Sequence, residues 1–119
     1  MRNWIDHFIS ACGWSASGLR QLFASEVAAR MELAAALAAL AWLLWLGCSW
    51  PAIGGFVVLA LVALAIEALN TAIEAIVDEV SPQRSAFAAK AKDLGSAAVA
   101  LALAATGLYV LGLTVLAFL

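Results

Sequence analysis

All six lysine and arginine residues of this 119-residue chain lie in two stretches, residues 2–30 and 84–92. Two long segments, residues 33–66 and 94–119, carry no charged side chain. About 20 helical residues span a bilayer core of roughly 30 Å, so the second segment predicts one membrane span, whereas the first is too long for one. The sequence therefore predicts an all-α polytopic membrane protein with three transmembrane helices.

The first charge-free segment must fold back on itself. Gly47 and Pro51 interrupt it, and both residue types punctuate helices, while Trp50 is of a type enriched at membrane interfaces. We therefore predict a reversal at residues 47–51. The predicted membrane helices of a single domain covering residues 1–119 are about residues 31–46, 52–77 and 94–119, after a surface helix region at residues 1–29.

The basic residues also predict an orientation, because Lys and Arg accumulate on the cytoplasmic side. The amino terminus and the loop 79–91 are expected in the cytoplasm, and the carboxyl terminus outside. The composition agrees with a membrane protein: 12% of the residues are charged, against about 25% in soluble domains. No basic cluster is large enough to indicate a nucleic acid partner. Three helices bury little surface against one another, so an oligomer is expected.

The amino-terminal region has an apolar face. Apolar side chains recur there at helical spacing at Trp4, Ile5, Phe8, Ile9 and Cys12. Gly13 is predicted to end this helix, and Leu19 and Leu22 begin a second apolar stripe. Amphipathic helices of this kind lie in the headgroup region with the apolar face toward the lipid. The pattern fits either a simple anchor or a lid that gathers lipid at the membrane surface.

One face of the second predicted span is polar. At about 100° per residue, five side chains fall within one arc: Glu67, Asn70, Thr71, Glu74 and Asp78. A carboxylate near the bilayer centre costs about 2.5 to 3.5 kcal/mol on insertion scales. Hydrogen bonding between helices would explain Asn70 and Thr71, but three carboxylates repel one another unless a cation or proton lies between them. The stripe therefore predicts a functional site.

Other charged residues are expected at the same end of this stripe. Glu26, Arg30 and Glu32 lie where the first span begins, and Lys92 and Asp93 lie where the third begins. Converging carboxylates suit Mg²⁺ that carries a polyphosphate, and Lys92 would add a positive charge for phosphate oxygens. A helical pair of Glu26 with Arg30 is the alternative for those two residues. The sequence has no P-loop, no glycine-rich kinase loop and no Cys/His cluster for zinc.

Two sequence elements resemble a known family. Residues 67–78 have the sequence EALNTAIEAIVD, and residues 91–99 have the sequence AKDLGSAAV. Together with Glu26, Arg30 and Glu32 upstream, they closely resemble the bacterial integral-membrane diacylglycerol kinases. The resemblance implies a homotrimer of three-span subunits in the bacterial inner membrane, each with an amino-terminal surface helix. It also implies phosphorylation of a lipid alcohol, diacylglycerol, with Mg²⁺ as the cofactor and ATP as the phosphoryl donor.

The resemblance also implies roles for individual positions. Glu67 would be the catalytic base that takes the proton from the lipid hydroxyl, Glu26 and Glu74 would bind the metal ion, and Asn70 and Asp78 would support the phosphates. The positions implied to contact ATP are Trp14, Glu26, Glu74, Gln83, Arg84, Ser85, Lys92 and Asp93. The positions implied to contact the lipid substrate are His7, Glu67 and Ser96. The family commonly has arginine where this chain has His7.

Two other functions stay open at this point. A related branch of the family phosphorylates undecaprenol, although residues 67–70 and 92–96 look closer to the diacylglycerol branch. An ion-coupled or non-catalytic membrane subunit could use the carboxylate stripe as a relay for protons or cations. Such a relay gives no role to Lys92, Asp93 or the extramembrane Glu26, so a lipid kinase is the favoured prediction.

Overall fold

The computed structural model describes residues 2–119, which fold into helices joined by short connections. In chain order these helices are α1 (Arg2–Ser25), α2 (Val27–Trp45), α3 (Trp50–Val80) and α4 (Ala86–Phe118). Three of them, α2, α3 and α4, are long and apolar enough to cross a membrane. The predicted fold class, an all-α protein with three membrane-spanning helices after an amino-terminal amphipathic helix, is confirmed.

The amino-terminal helix is longer than the sequence predicted. The prediction that Gly13 ends it is wrong, because α1 continues through Gly13 and Gly18 as far as Ser25. A glycine inside a helix costs only about 1 kcal/mol relative to alanine, which a helix of 24 residues tolerates. The second apolar stripe does not lie on the outer face as a whole, since Leu22 is buried in the protein. This half of α1 therefore packs against the helical bundle.

The junction between α1 and α2 is a single residue, Glu26, whose backbone is extended with φ −103° and ψ 112°. The guanidinium group of Arg30 donates hydrogen bonds to the carbonyl oxygens of Phe23 and Ala24, at 2.8 and 3.0 Å. These carbonyls belong to the last turn of α1, where a helix leaves its acceptors without partners. Arg30, in the first turn of α2, thus caps the carboxyl-terminal end of α1. Its hydrogen bonds hold the two helices at a fixed angle around Glu26.

The chain reverses between α2 and α3 as predicted, but at residues 46–49 rather than 47–51, because Trp50 and Pro51 form the first turn of α3. Gly47 has φ +70°, a left-handed conformation that glycine adopts without steric cost. Its amide donates to Leu44 O and the amide of Cys48 donates to Leu43 O, which together form a Schellman motif at the end of α2. The Ser49 side chain then caps α3 by accepting from the amide of Ala52. The chain reverses with few unpaired backbone groups.

The three long helices pack tightly near this turn. Leu43 of α2 and Ile53 and Phe56 of α3 form the buried core, and α4 covers them. Two polar side chains fasten α4 to its neighbours. Trp42 Nε1 donates to Thr114 Oγ1 at 2.9 Å, and Tyr109 Oη donates to the carbonyl of Ala52 at 2.7 Å. Both hydrogen bonds lie at the turn end of the bundle. At the opposite end, where the α3–α4 loop lies, the buried apolar residues are Leu22, Ala29, Val77 and Ala88.

Candidate functional site

Two polar side chains are buried among residues 3–119, Glu67 and Asn70, both on α3. They are 4% and 9% exposed. Glu67 lies 17 residues after Trp50, which is about 26 Å along the helix at a rise of about 1.5 Å per residue. A helix that enters the membrane at Trp50 therefore carries Glu67 to the far side of a bilayer core of roughly 30 Å. On that assumption the carboxylate would lie near the boundary between the bilayer core and water.

A second carboxyl group lies against Glu67. Glu32, in the second turn of α2, is a close neighbour of Glu67. Its Oε2 atom is buried and has no hydrogen-bond partner among the described residues. The sequence placed Glu32 in the right region without giving it a role. Its position as the last charged residue before a charge-free segment is the signal that could have identified it, because an acid there must enter the bundle or the lipid.

Asn70 lies between the buried Glu67 and the more exposed Glu74 on the polar face of α3. Its Nδ2 donates to Glu74 Oε1 at 3.4 Å, one helical turn further along α3. Its Oδ1 is buried without a hydrogen-bond partner among the described residues, and it faces Gly95 on α4. Asn70 therefore orients Glu74 with one end of its carboxamide and contacts the neighbouring helix with the other.

The α1–α3 cleft, of about 540 Å³, lies between the second half of α1 and the carboxyl-terminal half of α3. Glu26, Glu74 and Asp78 all line it, as do the small side chains Ala68, Thr71, Ala72 and Ala75. The structure thus brings the two predicted metal ligands, Glu26 and Glu74, into one cleft. Among residues 3–119 no cluster of three or more His, Cys, Asp or Glu side chains is arranged to enclose a metal ion. Two carboxylates fit Mg²⁺, which takes one or two of them and completes its shell with water and substrate phosphates.

A second cleft, the loop cleft, of about 650 Å³, lies between the end of α3 and the start of α4. Lys92 Nζ lies 2.6 Å from Asp78 Oδ1 there. Asp78 lines both clefts, so they meet at this ion pair. The predicted ATP-contacting residues that line the loop cleft are Gln83, Arg84, Ser85, Lys92 and Asp93.

The α3–α4 loop is organised by hydroxyl groups. Ser85 caps α4, where its Oγ accepts from the amide of Ala88 at 3.0 Å. Ser81 Oγ lies 2.9 Å from Ser85 Oγ and also donates to the carbonyl of Gln83 at 3.1 Å. These bonds leave Gln83 and Arg84 exposed at the tip of the loop, where they are available to a ligand.

Five of the predicted site residues do not line either cleft. Glu67 and Asn70 are buried, whereas His7, Trp14 and Ser96 are exposed. His7 and Trp14 are on the first half of α1, with their rings edge to face at a centroid distance of 6.4 Å. Trp14 is 67% exposed, and the α1 residues that line the α1–α3 cleft begin only at Gly18. Ser96 is exposed on α4. A single chain therefore gathers the carboxylates, Lys92 and the loop, but leaves these three exposed residues free on its surface.

Most of this chain is similar in sequence to known proteins. Residues 13–116 match the family model of the prokaryotic diacylglycerol kinases. The chain belongs to this family. The matched range begins before Trp14 and ends after Thr114, so it contains both clefts, all of α2 and α3, and all but the last two residues of α4. Membership confirms the resemblance drawn from the sequence, and with it the prediction that this chain is an enzyme, a kinase.

Individual relatives agree with the family match. A diacylglycerol kinase of Sinorhizobium sp is 40% identical over 105 residues, covering 88% of this chain and 76% of the relative. The diacylglycerol kinase of Escherichia coli strain K12 is 39% identical over 95 residues, covering 80% and 78%. That of Haemophilus influenzae is 33% identical over 104 residues, covering 87% and 88%.

Proposed function

We propose that this chain is an ATP-dependent lipid kinase that phosphorylates diacylglycerol to phosphatidic acid at the cytoplasmic surface of the bacterial inner membrane. The observation that carries the proposal is the position of Glu67. Its carboxylate is buried on a membrane-spanning helix, two turns before Glu74, which lines a polar cleft with Glu26. At a rise of about 1.5 Å per residue, Glu67 and Glu74 are about 10 Å apart along α3. A buried carboxylate on a membrane-spanning helix and a second carboxylate that lines the polar cleft suit a reaction between a lipid and a soluble nucleotide.

In the proposed reaction Glu67 is the general base. The diacylglycerol hydroxyl gives its proton to the Glu67 carboxylate, and its oxygen forms a bond to the γ-phosphorus of ATP. The bond between that phosphorus and the β–γ bridging oxygen breaks, so the products are phosphatidic acid and ADP. Glu32 lies beside Glu67, and its buried Oε2 atom has no hydrogen-bond partner among the described residues.

The nucleotide is proposed to bind across the two clefts. Glu26 and Glu74 would hold Mg²⁺, which when bound neutralises charge on the phosphates. Lys92 would exchange its partner Asp78 for a phosphate oxygen, while Asn70 keeps Glu74 in place. The loop residues Gln83, Arg84 and Ser85, with Asp93, would cover the phosphates.

A homotrimer is proposed as the assembly. Large apolar side chains on α3 are more than half exposed in the single chain at Val58, Leu61, Leu69 and Ile76, a face that a neighbouring α3 can cover. A neighbouring subunit would also explain why Trp14, His7 and Ser96 lie outside the clefts of their own chain. In this arrangement Trp14 contacts nucleotide and His7 and Ser96 contact lipid at a subunit boundary. The amino terminus and the α3–α4 loop would face the cytoplasm and the carboxyl terminus the outside.

The proposal is tested by a direct transfer assay on the purified full-length protein. ATP labelled at the γ-phosphate is supplied with Mg²⁺ and mixed micelles that contain either diacylglycerol or undecaprenol at equal mole fraction. The expected result is labelled phosphatidic acid, formed faster than labelled undecaprenyl phosphate. Preferential labelling of undecaprenol would assign the other lipid, and no lipid labelling at all would favour an ion-coupled or non-catalytic subunit.

A further inference from the structure

Asn70 on α3 packs against Gly95 on α4 at the site. A Cβ atom on residue 95 would overlap Asn70 Oδ1 and would lie 3.3 Å from its Cγ. Gly95 is one of the buried residues of α4, and Asn70 is 9% exposed, so neither can move into open space. Only a residue without a side chain fits against Asn70 at this point.

The direction of the Asn70 carboxamide is fixed by chemistry. An ionised carboxylate only accepts hydrogen bonds, so the group that faces Glu74 Oε1 must be the Nδ2 donor. The Oδ1 atom then has to face α4, where it meets the backbone of Gly95. A Cβ atom at residue 95 would push the whole carboxamide away and would change the bond that holds Glu74.

Other glycines of the membrane helices show that this is a local requirement. On α4, Gly107 and Gly112 have nothing within 4 Å of an added Cβ atom. Gly55 on α3 does face a neighbour, because an added Cβ would lie 2.5 Å from Tyr109 Oη. That contact is at the turn end of the bundle, far from the carboxylates. Gly112 and Gly55 therefore provide matched controls. An added Cβ atom at Gly112 would meet no other atom, whereas one at Gly55 would meet Tyr109, outside the site.

We propose that Gly95 is a positioning residue of the phosphoryl-transfer site, which acts by allowing Asn70 to hold the Glu74 carboxylate toward the α1–α3 cleft. This inference rests on the proposed function and assigns a role to a residue that carries no functional group. Its consequence is specific, because displacement of Asn70, which donates a hydrogen bond to Glu74, should weaken the binding of Mg-ATP while Glu67, one turn earlier on α3, keeps its position.

The first test is the Gly95→Ala variant of the full-length protein. We expect the KM for Mg-ATP to rise about tenfold or more, as for the loss of a hydrogen bond to a charged group, with the KM for diacylglycerol within about twofold of the unmodified protein. Gly112→Ala should leave both constants unchanged. Gly55→Ala should lower the thermal stability without raising the KM for Mg-ATP. Equal rises of both KM values in Gly95→Ala, or an unchanged KM for Mg-ATP, would overturn the proposal.

A double-mutant cycle separates an effect through Asn70 from a general packing effect. Asn70→Ser removes Oδ1, the atom that a Cβ atom at residue 95 would overlap, so the pair Asn70→Ser and Gly95→Ala has room for the added methyl group. If Gly95 acts through Asn70, the double variant should have the KM of Asn70→Ser alone, within about twofold. A double variant more than about fivefold worse than Asn70→Ser would contradict the proposal, and this comparison is valid even if Gly95→Ala alone fails to fold.

Metal binding provides a measurement that does not depend on turnover. Mn²⁺ can replace Mg²⁺ as a paramagnetic probe, and its binding to the full-length protein with a non-hydrolysable ATP analogue is measured by electron paramagnetic resonance. Gly95→Ala and Asn70→Ala should weaken Mn²⁺ binding to a similar extent, whereas Gly112→Ala should not. Wild-type Mn²⁺ affinity in Gly95→Ala would overturn this inference alone. Absence of lipid phosphorylation by the unmodified protein would instead remove the proposed function.

Discussion

Lys92 on α4 and Asp78 on α3 form an ion pair of 2.6 Å at the point where the two clefts meet. The two residues are 14 positions apart in sequence, and their ion pair joins α3 to α4. Both side chains are substantially exposed, at 43% for Lys92 and 64% for Asp78. Exposed pairs contribute about 0–1 kcal/mol to stability, so this one is cheap to break. A phosphate group can therefore compete with Asp78 for the ammonium group of Lys92.

The first prediction follows from that weak pair. Lys92→Met should raise the KM for ATP by about tenfold or more, because it removes the positive charge offered to the phosphates. Asp78→Asn should change the free energy of unfolding by less than about 1 kcal/mol. Steady-state kinetics and thermal unfolding in detergent check the two parts. A large loss of stability in Asp78→Asn would show that the pair is structural and that Lys92 is not available to ATP.

The second prediction concerns the α1–α2 junction. Arg30→Ala should free the carbonyls of Phe23 and Ala24 and allow α1 to change its angle, which moves Glu26 away from Glu74. The expected result is a few-fold rise in the KM for Mg-ATP and a loss of about 1 kcal/mol of stability. Arg20→Ala is the matched control, since Arg20 lies on the exposed face of α1. Equal effects of the two substitutions would indicate a general charge effect rather than capping by Arg30.

The third prediction is the orientation of the chain. In a background with Cys12 and Cys48 replaced by serine, a cysteine at Ser49 should react with a membrane-impermeant maleimide added to intact spheroplasts. A cysteine at Gln83 should react only after the membrane is opened. Gln83 suits the cytoplasmic probe because it is exposed, whereas the nearby Ser85 caps α4. Labelling of Gln83→Cys in intact spheroplasts, with Ser49→Cys protected, would require the inverted orientation.

Long-range patterns in the sequence predicted the membrane helices and the acidic stripe well. The stretches without charge are longer than a bilayer requires, and the angular spacing along α3 is set by helix geometry, so both features depend on few assumptions. The end predicted at Gly13 failed because a single glycine is a weak helix breaker inside a long helix. At the observed end, Ser25, Arg30 of α2 caps the last turn of α1, a contact that no local rule could identify.

The sequence predicted which residue types form the candidate site, but it predicted only some of the contacts between them. Glu67, Asn70 and Glu74 share a helix, so their proximity follows from spacing alone. The approach of Glu32 to Glu67 and of Gly95 to Asn70 depends on how α2 and α4 rotate against α3, and the sequence pattern does not specify those rotations. Gly95 is the clearest example, since its contribution is the absence of a side chain.

The central claim is that Glu67 acts on the lipid and Glu74 on the nucleotide, and one paired measurement tests it directly. Single-turnover transfer of labelled γ-phosphate to diacylglycerol is compared with binding of the Mg-ATP analogue for the unmodified protein, Glu67→Gln and Glu74→Gln. We expect Glu67→Gln to bind the analogue within about twofold of the unmodified protein while transfer falls by about 100-fold or more, and Glu74→Gln to lose binding. A Glu67→Gln variant that transfers phosphate at close to the unmodified rate would contradict the assignment of Glu67 as the base.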